Sequence, residues 1–133
     1  MHKKFARSYD SLKEIYDFTE AVLDAGRIEN SVRYPVHFAM EELFTNLVKY
    51  NPENNQDVLF DVEANDGMVT VTITDNDVDA FDVTAAREVD TTLPLADRKV
   101  GGLGLHLICH MVDTLNYRHA NRQSRIRFTK GTS

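Results

Sequence analysis

Three features of this 133-residue chain carry side chains suited to chemistry. Glu42 and Asn46 stand four positions apart, on one face of any helix that holds them. An amide oxygen suits a hard cation such as Mg²⁺, which takes few protein ligands and completes its shell with phosphate oxygens and water. A carboxylate one turn away suits a general base toward a hydroxyl or water. Asp75 continues the parity of Val69, Val71 and Ile73, so it points inward at the end of a buried strand. A carboxylate is costly there unless a donor meets it. A ligand amine, such as the exocyclic amine of adenine, is one such donor. Gly101, Gly102 and Gly104 gather three of the six glycines ahead of the apolar positions Leu105, Ile108, Cys109 and Val112. Glycines that open a helix let a ligand approach closely and leave the first amides free for an anion. Each feature also has a plain reading: a solvated helix face, an acid that starts a turn after Thr74, and a glycine-assisted helix entry.

The elements that must position these groups follow from periodicity. Lys3–Ser8 reads as a short edge strand. Ser11 and Glu14 form a capping box ahead of Leu12, Ile15, Thr19 and Val22, giving a helix over 11–25 with Gly26 at its C-cap. A second helix starts at Val32 or Pro35 and ends at Tyr50. It buries Val36, Met40, Leu43 and Leu47 and is stopped by Asn51-Pro52. Val58, Phe60, Val62 and Ala64 alternate with polar or exposed positions. Asn65-Asp66-Gly67 turns the chain into a return strand with Val69, Val71 and Ile73 inward and Thr70, Thr72 and Thr74 outward. Residues 76–100 have weak periodicity and read as a lid, with a short helix around Val83–Glu88. A third helix over 103–112 and two strands, Thr114–His119 and Ser124–Thr129, complete the order. Asn121-Arg122-Gln123 joins the last two strands. The implied fold is a single-domain two-layer α/β sandwich over 1–133, a mixed, mostly antiparallel sheet covered on one face by helices.

Composition narrows the function classes. Apolar residues make up 42% and charged residues 27%, within the range of a globular domain. A net charge of −6 argues against direct nucleic-acid binding. Arg118, Arg122, Arg125, Arg127 and Lys130 form a local basic set, read as a solvated face or a surface for an acidic protein partner. No apolar run reaches the length of a membrane span. Met1–Ser8 has no apolar signal core, so a cytoplasmic location is expected. Cys109, the sole cysteine, sits in a helical apolar stripe and reads as a small packing residue. His106 and His110 have i, i+4 spacing but no evident third metal ligand, and read as a helix-surface pair.

At these residues the chain resembles the ATP-binding domain shared by gyrase, heat-shock chaperones, histidine kinases and mismatch-repair ATPases. Glu42-Leu43-Phe44-Thr45-Asn46 is similar to its Glu/Asn motif, Asp75 to its adenine-reading aspartate, and Gly101-Gly102-Leu103-Gly104-Leu105 to its second glycine box. The nearest branch is the bacterial anti-sigma factor serine kinases, a resemblance that spans nearly the whole chain. Thr45-Asn46, Phe81-Asp82, the run from Leu93 through Arg98 to Leu107, and Met111-Val112-Asp113 carry it. The resemblance implies ATP and Mg²⁺ as cofactors. It assigns Glu42 as general base toward a serine hydroxyl of a partner and Asn46 as the Mg²⁺ ligand. Asp75 becomes the acceptor for the adenine amine, and the backbone of 101–105 a phosphate cradle. Arg98 or Lys99 helps at the lid, and Ser124 stands near adenine. It also implies a homodimer, a sigma factor or related target, and an anti-sigma-factor antagonist as phosphorylation substrate. No membrane partner is implied.

One stretch departs from that pattern. Asp75-Asn76-Asp77-Val78-Asp79-Ala80-Phe81-Asp82 has no glycine where the family's box has several. Each residue there carries a Cβ, and three of the added side chains carry negative charge. A protein-binding regulator with weak or absent catalysis is therefore the alternative reading. Asp75, Asp77 and Asp79 also have the alternate spacing of a calcium loop. However, Ala80 and Ala86 stand where such a loop needs glycine and glutamate.

Overall fold

A computed structural model describes residues 1–51, 53–76, 78 and 102–132. Alternation and helical spacing become β1 (His2–Phe5), α1 (Leu12–Ala25), α2 (Asn30–Tyr50), β2 (Val58–Asn65), β3 (Met68–Asn76), α3 (Gly102–Met111), β4 (Thr114–Ala120) and β5 (Gln123–Gly131). The lid expected over 76–100 and its short helix lie outside the described residues, apart from Asn76 and Val78.

The sheet has the order β1-β2-β3-β5-β4, and every neighbouring pair is antiparallel. The expectation of a mixed sheet is therefore corrected. β3 and β4 run the same way, but β5 lies between them, so no parallel ladder forms. Alternate residues of the central strands, Val58, Phe60, Val62, Val69, Val71, Ile73, Ile126 and Phe128, are buried beneath the helices. α2 meets them with Val32, Val36, Ala39, Met40, Leu43, Phe44 and Leu47. The other sheet face carries Thr70, Thr72, Arg125 and Arg127. Arg118, Arg125 and Arg127 are exposed, and Arg127 donates to the Thr72 hydroxyl at 3.1 Å.

Local chemistry departs from the sequence reading at three helix ends. Ser11 stands at the N-cap of α1, but its side chain makes no capping hydrogen bond. Its hydroxyl donates instead to the Ala6 carbonyl at 2.8 Å, and a short 3₁₀ turn, Tyr9–Ser11, precedes the helix with Ser8 as its cap. Gly26 is the C-cap of α1, as expected, but in ordinary right-handed geometry, and it is Arg27 that takes the left-handed φ of 54°. Glycine is needed at 26 for space: a Cβ there would stand 2.7 Å from the Ala64 Cβ. α2 begins at Asn30, so Pro35 lies inside it. The amide that proline lacks would have bonded the carbonyl of Ser31, an exposed residue that water can reach.

Candidate functional site

The site grows from the segment between β1 and α1. Phe5 ends β1 fully packed, edge-on to Phe60 with ring centroids 5.5 Å apart. The chain then tightens: the Ser8 amide donates to the Ala6 carbonyl at 2.8 Å and the Ser11 amide to the Ser8 carbonyl at 3.0 Å. Arg7 sits at the bend, two residues past Phe5, and its side chain is turned inward and buried. One guanidinium nitrogen donates to the Leu47 carbonyl on α2 at 3.1 Å. Another pairs with Oδ1 of Asp75 at the end of β3. The side chains of the pair are 3% and 0% exposed.

Asp75 therefore points inward, as its parity predicts, and β3 runs on to Asn76 rather than ending at Thr74. Burial pushes its carboxyl above the usual carboxylate range, while the Arg7 hydrogen bond and charge, and then the Asn76 backbone, pull it back. Among the described residues, the second oxygen, Oδ2, is buried without a hydrogen-bond partner, as is Nε of Arg7. An unmet buried acceptor is expensive, and a ligand amine would meet this one. Ser124 is 4% exposed and lies directly opposite Asp75 across the β3–β5 ladder. Directly opposed residues share a sheet face, so the two expected base-site residues come together.

On α2 the Asn46 side chain is buried, and its amide nitrogen donates to the Glu42 carbonyl at 2.8 Å. That bond assigns the nitrogen to the helix and leaves the amide oxygen as the atom for a cation. Glu42 is half-buried one turn earlier. Leu47, the residue after Asn46, is joined to Asp75 through Arg7. The Glu/Asn face and the strand-end carboxylate are thus tied to one region by a residue that motif reading did not single out. A signal for Arg7 existed: it shares strand parity with Phe5, and a buried aspartate calls for a cation.

α3 packs against α2 and opens at Gly102, so the backbone of Gly102, Leu103, Gly104 and Leu105 forms its first turn. Free amides at such an end favour an anion. Gly101 and Arg98 lie outside the described residues. Ile108 and Val112 are buried, and Cys109 is half-buried against the core. His106 and His110 meet edge-to-face at 4.6 Å. Among the described residues no group of three metal-ligating side chains occurs. The calcium-loop spacing also loses its first ligand, since Asp75 lies within β3 and already faces Arg7.

A five-stranded antiparallel sheet with helices on one face, ending in this inward carboxylate, has the layout of the ATPase-type α/β domains. The chain itself supplies the family: residues 5–130 match the histidine kinase-like ATPase domain, and the protein belongs to that family. Among solved structures it is similar to the Acinetobacter baumannii histidine kinase AdeS. The TM-score is 0.56 at 14% identity, over 98% of this chain and 67% of that one. At that identity the likeness is one of fold. No curated protein sequence matches the chain. Among the described residues no helix is long and apolar enough to cross a membrane.

Proposed function

We propose that the protein binds adenine nucleotide with Mg²⁺ and acts as an anti-sigma regulatory factor that phosphorylates an antagonist protein on serine. The observation that carries the nucleotide reading is Oδ2 of buried Asp75, which has no hydrogen-bond partner among the described residues and lies opposite Ser124. Membership of an ATPase-domain family supports ATP as the ligand. The serine-kinase reading rests on the resemblance of Thr45-Asn46 and the stretch 93–107 to that branch.

In this reading Asn46 Oδ1 faces Mg²⁺, the amides that open α3 face phosphate oxygens, and Asp75 accepts from the base amine. Bound nucleotide supplies the phosphoryl group. Glu42 takes the proton from the attacking serine hydroxyl of the partner, the general-base role that its place one turn from Asn46 allows. Positioning and charge neutralisation supply most of the catalysis in phosphoryl transfer, so a short list of groups suffices. The protein acts as a homodimer, in the cytoplasm, on a sigma factor or related target.

A second reading keeps the fold and the partner and drops catalysis. Two observations favour it: the glycine-free stretch 75–82 and the Arg7 cation already seated on Asp75. Titration with Mg²⁺–ATP separates the two. The kinase reading expects binding in the wild type and weaker binding in Asn46→Ala. It also expects phosphate transfer to an antagonist that is lost in Glu42→Ala. No binding at millimolar nucleotide leaves the protein-binding regulator.

A further inference from the structure

We infer that Arg7 is a specificity-determining positioning residue of the base site. It holds one oxygen of Asp75 and keeps the carboxylate charged, so that the other oxygen acts only as an acceptor. The inference rests on the adenine-nucleotide reading and deepens it. Three observations support it. The Arg7–Asp75 contact joins two side chains that are almost wholly buried. The contact uses Oδ1 and leaves Oδ2 without a hydrogen-bond partner among the described residues. Arg7 is itself fixed at its far side by the Leu47 carbonyl, so the cation cannot drift from the acid without breaking a second bond.

The charge state decides what Oδ2 can read. An ionised carboxylate only accepts, so it takes a 6-amino purine and repels the carbonyl of a 6-oxo purine. A protonated carboxyl also donates, and so admits the 6-oxo base. Burial by itself favours the protonated form. Among the described residues Arg7 is the one charged group acting on Asp75. The β1–α1 turn brings Arg7, α2 brings the Leu47 carbonyl, β5 brings Ser124 and β3 brings the Asn76 backbone. Of these groups only the arginine is charged.

The test compares ATP with inosine triphosphate, which differs at the 6-position in carrying an oxygen for the amine. Wild type is expected to prefer ATP by about tenfold or more, the worth of one well-made buried hydrogen bond. Arg7→Met narrows the preference to within about threefold at neutral pH, and its ATP affinity then rises with pH as Asp75 ionises. Arg7→Lys restores the charge and the preference. In the Asp75→Asn background, adding Arg7→Met leaves the ratio unchanged, whereas a merely structural role would still move it. The ¹³C signal of the Asp75 side-chain carboxyl, assigned by its loss in Asp75→Asn, gives a readout without nucleotide. It titrates at higher pH in Arg7→Met than in wild type, because the lowering pull of Arg7 is gone. If Arg7→Met does not fold, Arg7→Gln, which keeps a donor and loses the charge, takes its place with the same expectations. An unchanged ATP preference together with an unchanged carboxyl signal overturns the proposal. A wild type that binds neither nucleotide overturns the adenine reading and the specificity role with it, whatever the carboxyl signal does.

Discussion

Asp75 and Ser124 face each other across the β3–β5 ladder, an acid and a hydroxyl buried at the same level of the sheet. Since opposed residues share a face, Ser124 borders whatever meets the carboxylate. Ser124→Ala removes the hydroxyl without adding volume to a buried position. It is expected to leave the fold intact and weaken adenine-nucleotide binding by about tenfold, the loss of one hydrogen bond in a buried site. Isothermal titration checks it, and an unaltered affinity would take Ser124 out of the base site.

Removing one partner of the Arg7–Asp75 pair strands the other in the interior. Arg7→Met and Asp75→Ala are each expected to lower stability by about 3–5 kcal/mol. The double substitution should cost much less than the sum, because neither charge is then left alone. Urea unfolding of the three variants measures this, and strict additivity would show that the contact does not govern the stability of either residue.

Burial raises the Asp75 carboxyl above its ordinary range in the folded protein, so the folded state holds that proton more tightly than the unfolded chain. Its contribution is fully present below the unfolded value. It is lost as pH rises through the folded one. Compared with Asp75→Asn, wild type should therefore lose relative stability between the ordinary aspartate range and the raised value, and level off above it. Removing the pull of Arg7 moves that window upward. Unfolding free energies taken at half-unit steps of pH in both proteins would reveal a slope of the opposite sign if the carboxyl were instead held low.

Gly26 is in ordinary helical geometry, so its replacement is a question of space alone. Gly26→Ala would press a methyl into Ala64, and a destabilisation of about 1–3 kcal/mol is expected. Ala64→Gly in the same chain should restore most of it. Thermal unfolding of the single and double variants tests the pair, and failure of the rescue would place the strain elsewhere.

Local rules carried the sequence reading a long way. Period-two alternation placed β2 and β3 within two residues of their observed bounds, because each strand buries one face against the helices. The same parity put Asp75 inward. Helical spacing found Val36, Met40, Leu43 and Leu47 on the buried side of α2. What stayed hidden depends on distant partners. Arg7 and Asp75 are 68 positions apart, and no window of sequence contains both. Ser11 has the residue type of a cap, but its hydroxyl goes to Ala6, a choice set by the bend that carries Arg7. The need for glycine at 26 lies in Ala64, on another element.

The place of β5 in the sheet has a consequence for how the protein is made. β5 is the last described strand in chain order, yet it occupies the ladder between β3 and β4. Until it docks, β3 has one open edge, and its hydrogen-bonding groups are exposed to any passing strand. The Asp75–Ser124 pair is completed by that same event, since Ser124 arrives on β5. A nascent chain stalled before residue 124 can already bury much of the α2 face. It would carry Arg7, Glu42, Asn46 and Asp75 without Ser124, so the arrival of that hydroxyl beside Asp75 and the covering of the open β3 edge are one event.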